Sequence, residues 1–350
     1  MTNLVRAERI ELARNAGTGV VRALSLALLC AFCLGAPLRA QSAAPRKIKI
    51  LTLLGRPLQL VIAEKQGFLA KHGVEVESEN VASSEILRSN MAAGKGDLAY
   101  LAVDNAVAMV ELAHQDMVIL MGGEGSQNEL VVQPEITSLE ALRGRILIVD
   151  APNTAYALQM KKILSQKGLQ PLKDYEIKPI GGTPQRLIAL REHKEYSGSM
   201  LGPPALIIAK QQGFVSLAKV QDIVGPYQAA GYFAQRKWAQ DHKGTLENYL
   251  AAIIEVQRWL MDPANKQQVI DLWIQEFHLA PEIAAATYDA AINHPGGFAK
   301  DAALDIEGFK NVLKLRAEIE GQWEGHPPDV EKYYDPSYYK DALGKASPGK

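Results

Sequence analysis

Short apolar segments alternate with amphipathic segments from residue 47 onward, at intervals typical of strands followed by helices. The first half of this pattern predicts strands at 47–52, 74–79, 98–103 and 117–121. It predicts helices at 58–66, from Ser83 to residue 94, and from Asp104 to residue 114. Because strands and helices alternate, the pattern indicates βαβ units and a mostly parallel sheet.

The same alternation restarts after the glycine-rich segment 122–126. It predicts strands at 145–149, 175–180 and 198–201, with helices near 153–168, at 184–192 and after Pro204, then an apolar stretch at 220–224. A second flexible crossing is expected at 225–231, and residues 246–319 have an almost wholly helical pattern. The order predicts an α/β fold of two lobes, joined by two crossings and followed by a helical tail.

Residues 1–40 have the features of a cleavable signal peptide. Arginines precede an uncharged, mostly apolar run at 23–36, and small residues follow it. The run has ~14 residues, whereas a bilayer span needs about 20, so a membrane anchor or buried helix is the less favoured alternative. Cys30 and Cys33 both lie in this run, and cleavage after Ala40 would leave an exported, cysteine-free protein. Such a protein suits the periplasm.

Composition excludes several classes of function. Without residues 1–40 the chain has 33 basic and 37 acidic residues, and this balance indicates no nucleic-acid partner. No thiol remains, the seven histidines are scattered, and no phosphate-binding glycine loop or nucleophile elbow is present. We therefore expect no catalytic residue, no metal site and no cofactor.

Four segments resemble the nitrate/sulfonate/taurine group of ABC-importer substrate-binding proteins, which also includes thiamine-precursor binders. They are IAEKQGFLAKHGVEVE at 62–77, MAAGKGDLA at 91–99, LEALRGR at 139–145 and KYYDPSY at 332–338. The resemblance spans about residues 46–344 and implies a type II periplasmic-binding-protein fold. A related pyrimidine-synthesising enzyme uses a cysteine-rich motif, and the missing cysteines argue against that activity.

The resemblance implies that the ligand lies between the lobes, on loops at the carboxyl ends of strands. Helix N-termini at these loops favour anions, although the same residues could simply cap the helices. Arg56, next to a strand end, could clamp a carboxylate or sulfonate, and tyrosines could form the walls of the cleft. The predicted ligand-binding residues are Gly55, Arg56, Pro57, Ser83, Ser84, Asp104, Asn105, Asn153, Thr154, Tyr156, Gly182, Thr183 and Arg186.

Arg56, Arg186 and the tyrosines each have an alternative interpretation. Arg56 could be a solvated surface residue, and ion pairing with a neighbouring carboxylate is the favoured explanation for Arg186 in the first turn of its helix. Tyr100, Tyr156 and Tyr227 could be core residues rather than cleft walls.

The expected function is periplasmic capture of a small organic anion by a monomer that delivers it to an ABC permease at the inner membrane. A neutral heteroaromatic such as a pyrimidine, a bare anion such as nitrate, and a sensor presenting its ligand to a receptor are the alternatives. The predicted boundaries are a signal peptide at 1–40, a first lobe at 46–122 plus 231–344, a second lobe at 125–228 and a disordered tail at 345–350.

Overall fold

The computed structural model describes residues 46–53 and 55–347, and within them ten strands form two five-stranded sheets. The predicted signal peptide and residues 348–350 lie outside the described residues. The strands are β1 Arg46–Thr52, β2 Val74–Asn80, β3 Leu98–Ala102, β4 Met117–Met121, β5 Glu129–Val132, β6 Ile146–Val149, β7 Glu176–Pro179, β8 Tyr196–Leu201, β9 Val215–Lys219 and β10 Ala230–Gln235.

Helices cover both sheets and continue beyond β10. They are α1 Leu58–Lys65, α2 Phe68–Lys71, α3 Ser84–Ala92, α4 Asp104–Ala113, α5 Ala155–Ser165, α6 Thr183–Glu192, α7 Ala205–Gln211, α8 Val220–Ile223, α9 Arg236–Asp241, α10 Lys243–Met261, α11 Lys266–Phe277, α12 Pro281–Asn293, α13 Ile306–Glu320 and α14 Pro336–Lys345. None of these helices is long and apolar enough to cross a bilayer, in the part of the chain that the structure describes.

The two sheets share one topology. The first has the order β2-β1-β3-β10-β4, in which β1 pairs in parallel with β2 and β3 while β10 runs antiparallel to β3 and β4. The second has the order β7-β6-β8-β5-β9, in which β5 is the antiparallel strand between β8 and β9. We call the halves built on these sheets the first lobe and the second lobe.

Side-chain alternation along β1 shows how the first lobe is packed. Ile48 and Ile50 belong to an apolar cluster that includes many buried residues of α10, whereas Leu51 belongs to the cluster on the opposite face of the sheet. Successive side chains of a strand point to opposite faces, so a strand covered on both faces is apolar at nearly every position. The second sheet likewise has a buried apolar cluster on each face.

Two chain segments cross between the lobes, one between β4 and β5 and the other between α8 and β10. They lie side by side, because the N–H of Ser126 donates to the carbonyl of Tyr227 at 3.0 Å and the N–H of Ala229 donates to that of Glu124 at 3.1 Å. Close approach requires glycine here: a Cβ on Gly122 would lie 2.3 Å from the carbonyl oxygen of Ala303.

The structure adds three strands that the apolar pattern did not predict: β5, β9 and β10. The predicted second crossing at 225–231 overlaps the start of β10, whose alanine and glycine residues are typical of a loop in sequence. The apolar stretch at 220–224 forms the short helix α8. Within the predicted disordered tail, Lys345 ends α14 and the N–H of Ser347 donates to Glu255 at 2.8 Å; the disorder of the tail stays a prediction.

Candidate functional site

A cavity of about 550 Å³ lies where the two lobes and the crossings meet. The first lobe contributes residues that follow β1, the end of β3 and side chains from α11 and α12. The second lobe contributes the starts of α5, α6 and α7, and residues 124–128 of a crossing form part of the wall. Clefts of this size between two halves of a protein are where small-molecule ligands bind.

Arg186 is the principal charged group of this cavity. It is 1% exposed and lies in the first turn of α6, where its Nε donates to Ser199 and its Nη1 to the carbonyl of Gly181. Its Nη2 donates to the Thr183 hydroxyl and to the Met200 carbonyl. Since a guanidinium has five N–H groups, one N–H of Nη1 has no acceptor among the described residues.

No carboxylate of the described residues lies within ion-pairing distance of Arg186, so the predicted ion pair is wrong. Burial lowers the pKa of this guanidinium, and the more distant Asp150 and the phenol of Tyr156 partly oppose that effect. The guanidinium also lies 4.7 Å from the ring centre of Tyr156. The site is therefore a buried positive charge that is held by neutral acceptors and one aromatic face.

Aromatic side chains from both lobes form much of the remaining wall. Tyr156 and Tyr100 line the cavity, as do Trp273, Phe277 and Phe298 of the helical tail. The hydroxyl of Tyr100 accepts a hydrogen bond from Gln59, also a lining residue, at 3.1 Å. Tyr227, the third tyrosine considered from the sequence, is instead a 2%-exposed residue in the core of the first lobe.

The predicted loop Gly55-Arg56-Pro57 also lines the cavity. Gly55 has a φ of +89°, a conformation that favours glycine, and its N–H donates to Asn80 at 2.8 Å. The Arg56 side chain is 41% exposed and forms an ion pair with Glu64 on α1. Arg56 therefore has a carboxylate partner at the cavity wall, in contrast to Arg186.

Several other predicted residues do not line this cavity and instead form a polar cluster between the lobes. Ser84 on α3 donates to Asp150, which follows β6, at 2.6 Å, and Thr154 donates to the same carboxylate at 2.7 Å. Arg88 on α3 donates to the side chain of Asn153 in the second lobe at 3.1 Å. The hydrogen bonds of Ser84 and Arg88 join the two lobes directly, whereas that of Thr154 lies within the second lobe.

A buried ion pair completes this inter-lobe polar cluster. Arg316 on α13 and Asp104 at the start of α4 are both 0% exposed and lie 3.3 Å apart. Desolvation raises the pKa of Asp104 to about 6, although Arg316 and Arg88 oppose this shift. Asn105 accepts from Arg88 at 3.2 Å. The cluster thus contains Ser84, Arg88, Asp104, Asn105, Asp150, Asn153, Thr154 and Arg316.

Helix capping explains only one of the predicted polar residues. Ser83 is the N-cap of α3 and accepts from the N–H of Ile86 at 3.2 Å. Thr154 and Gly182 occupy N-cap positions of α5 and α6 without a side-chain cap, and Thr183, the first residue of α6, lines the cavity. The ligand contacts predicted for residues outside the cavity wall stay predictions.

Sequence reasoning missed Glu124, whose position in a glycine-rich crossing suggested a hinge. Glu124 lines the cavity, its carboxyl group has no hydrogen bond or ion pair to any described side chain, and desolvation raises the pKa of that group to about 7. An acidic residue isolated among glycines in a predicted crossing was the available signal. Within 46–53 and 55–347, no group of three His, Asp or Glu side chains is placed to hold a metal ion.

Two five-stranded sheets of one topology, two crossings and a cavity between the lobes define the class of periplasmic-binding-protein folds, as predicted. The model of the NMT1-like family matches residues 53–274, which is more than half of the chain. The chain therefore belongs to the NMT1-like family. No curated protein matches its sequence.

Solved structures agree on the fold. A protein from Bordetella bronchiseptica RB50 is 18% identical, with a TM-score of 0.73 over 87% of this chain and 98% of that one. The periplasmic nitrate-binding protein NrtA from Synechocystis PCC 6803 is 15% identical, with a TM-score of 0.69 over 86% and 89% of the two chains. The alkanesulfonate-binding protein SsuA from Xanthomonas axonopodis pv. citri, bound to MOPS, is 14% identical, with a TM-score of 0.65 over 82% and 96%.

Proposed function

We propose that this protein is the periplasmic solute-binding component of an ABC importer, and that it captures a small organic anion, a carboxylate or a sulfonate. The main support for this proposal is the buried, unpaired charge of Arg186. A buried charge without a counter-ion is costly, so such a group persists where a ligand supplies the opposite charge. Arg186 is 1% exposed and has no carboxylate partner among the described residues, and it lines the cavity that both lobes share.

The size and lining of the cavity favour an organic ligand over a bare inorganic anion. A volume of about 550 Å³ is within the range of small-molecule sites and far exceeds that of nitrate. Tyr100 and Tyr156 on facing lobes provide apolar walls for a carbon skeleton. The same walls favour a neutral heteroaromatic as the second candidate, but that ligand would leave the charge of Arg186 unpaired.

Capture would proceed by closure of the lobes. A ligand that contacts both lobes stabilises the closed arrangement in proportion to its differential affinity for the two arrangements. In our proposal a monomer leaves the cytoplasm through the signal peptide at 1–40, binds the anion and docks in its closed form on an inner-membrane permease. We place the lobe boundaries at 122/125, between β4 and β5, and at 228/231, where residue 231 is the second residue of β10.

The neighbours with the same fold include proteins named for import, nitrate binding and alkanesulfonate binding, which supports the transport role. The alternative, a sensor that presents its ligand to a receptor, would use the same lobes. Genes for a permease and an ATPase beside the gene for this protein would favour the importer, and a receptor gene would favour the sensor.

A thermal-shift screen of the purified protein tests the ligand class. The panel contains aliphatic and aromatic carboxylates, sulfonates, nitrate, pyrimidines and amino acids. A ligand at about 100 times its dissociation constant stabilises the folded state by roughly 2.7 kcal/mol, which gives a clear shift of the melting temperature. We expect hits among organic carboxylates or sulfonates. Hits confined to neutral pyrimidines or to nitrate would contradict the proposal.

A further inference from the structure

Glu124 is a second charged group of the cavity, and the organic-anion function does not use it. Its backbone is fixed: the N–H donates to the carbonyl of Ala230 at 3.2 Å, and its carbonyl accepts from the side chain of Gln228 at 3.1 Å. Glu124 also forms an isolated β-bridge with Phe298 of the cavity wall. The backbone of Glu124 is therefore held by the crossing and by the first lobe.

Glu124 is a half-buried lining residue of the cavity, and its carboxyl group has no partner among the side chains that the structure describes. Tyr100 on β3, Tyr232 on β10 and Tyr156 on α5 are the titratable groups near it. Burial raises the pKa of all three phenols, so they stay neutral around pH 7. Desolvation likewise raises the pKa of Glu124 to about 7, and no cation opposes the shift.

Arg186 does not neutralise Glu124. The guanidinium is held by Ser199, Thr183 and two carbonyl groups of the second lobe, whereas Glu124 lies in the crossing beside the first lobe. Of the charged residues that line the cavity, Arg56 is paired with Glu64, whereas Arg186 and Glu124 have no oppositely charged partner among the described residues. Unpaired polar groups in a buried site indicate recognition of a ligand.

We propose that the ligand is amphoteric: its anionic group lies at Arg186, a cationic amino or amidine-like N–H donor group lies at Glu124, and an apolar body between them contacts the aromatic walls. This inference rests on the proposed function, since it takes Arg186 as the anion site. A carboxylate accepts hydrogen bonds and cannot donate them, so ionised Glu124 selects donors. A plain organic anion would leave Glu124 unpaired, and an amphoteric ligand pairs both groups.

Isosteric pairs of probes isolate the contribution of the amino group. We choose 4-(aminomethyl)benzoate with 4-ethylbenzoate, 3-(aminomethyl)benzoate with 3-ethylbenzoate, and 6-aminohexanoate with heptanoate, which sample different separations of the two charges. Calorimetric titration of the full protein at pH 8 and at pH 5.5 gives the affinity ratio within each pair. The variant Glu124→Gln keeps the shape and removes the charge, and Glu135→Gln at an exposed position outside the cavity is the matched control.

We expect the amino member of at least one pair to bind about 10-fold more tightly than its ethyl partner at pH 8, the effect of one charge-assisted hydrogen bond. The ratio should fall at pH 5.5, where Glu124 is protonated and the amino group keeps its charge. It should approach one in Glu124→Gln and persist in Glu135→Gln.

The possible failures are distinguishable. If the ethyl members bind and no amino member is preferred, or if the preference survives in Glu124→Gln, the inference about Glu124 is wrong and the organic-anion function stands. If no member of any pair binds, and carboxylates and sulfonates also fail in the thermal-shift screen, the proposed function fails and the inference fails with it.

Discussion

Two buried arginines in the described part of the chain give opposite predictions, because one has a carboxylate partner and the other does not. Arg316 forms a fully buried ion pair with Asp104, whereas Arg186 is held only by neutral acceptors. Replacing each by methionine keeps most of the side-chain volume and removes the charge. We expect Arg316→Met to reduce chiefly stability and Arg186→Met to reduce chiefly ligand affinity.

The magnitudes follow from what each substitution leaves behind. Arg316→Met leaves the 0%-exposed carboxylate of Asp104 without its ion-pair partner. Breaking a buried pair in this way lowers the unfolding free energy by about 3–5 kcal/mol. Arg186→Met leaves hydroxyls and carbonyls with fewer donors, but it also removes the desolvation cost of an unpaired charge, so we expect a loss of no more than about 1–3 kcal/mol. A charge-assisted bond to an anion is worth about 1.5–3 kcal/mol, so its affinity should fall roughly 10- to 150-fold.

Urea denaturation gives the stabilities, and calorimetric titration with the best carboxylate or sulfonate gives the affinities. Arg191→Met is the matched control, since Arg191 is an exposed residue in the last turn of the same helix, α6, and should leave both quantities unchanged. Unchanged affinity in Arg186→Met would refute the reasoning. A loss of stability in Arg186→Met as large as that in Arg316→Met would show that Arg186 is mainly structural.

Three further substitutions test other parts of the structure. The pKa of Glu124 is raised to about 7, so the contribution of this residue to stability is present at low pH and is lost as the pH rises through 7. We therefore expect Glu124→Gln to increase the unfolding free energy by about 1–3 kcal/mol at pH 8 and by much less at pH 4.5. Urea denaturation at the two pH values measures the difference. Ser84→Ala removes a hydrogen bond to Asp150 across the lobes, so we expect the unfolding free energy to fall by about 1–2 kcal/mol. We also expect a larger radius of gyration of the ligand-free protein in small-angle X-ray scattering. Unchanged scattering would argue against a role of this hydrogen bond in closure. Gly122→Ala places a methyl group 2.3 Å from the carbonyl oxygen of Ala303 and should lower stability by about 1–3 kcal/mol, whereas an unchanged melting temperature would show that the crossing relaxes freely.

The sequence predicted most of the fold because its strands carry strong local signals. The run at 117–121 is apolar at every position and forms β4 over the predicted range, and all five residues are buried. β5 has four residues and β10 begins with alanine and glycine, so neither is distinguishable from a loop by periodicity. Both strands owe their structure to antiparallel pairing with strands that are distant in sequence. Local patterns carry little information about such pairing.

The candidate site was less predictable for the same reason. Arg186 is among the ligand-binding residues that the sequence predicts, but its lack of a carboxylate partner depends on where distant side chains lie. Ser84 and Asn153 belong to opposite lobes and lie in a hydrogen-bonded cluster outside the cavity, although strand-end loops predicted ligand contacts for both. Trp273 and Phe277 reach the cavity from a helical tail that gave no sign of facing it. Long-range packing decides all of these placements.

A crystal structure of the protein with its best organic anion is the most direct test of the central claim that Arg186 holds an anion between the lobes. We predict that the carboxylate or sulfonate group lies about 3 Å from the guanidinium of Arg186, with the carbon skeleton against Tyr156. An anion bound outside the cavity, or bound within it with its charged group remote from Arg186, would contradict the claim.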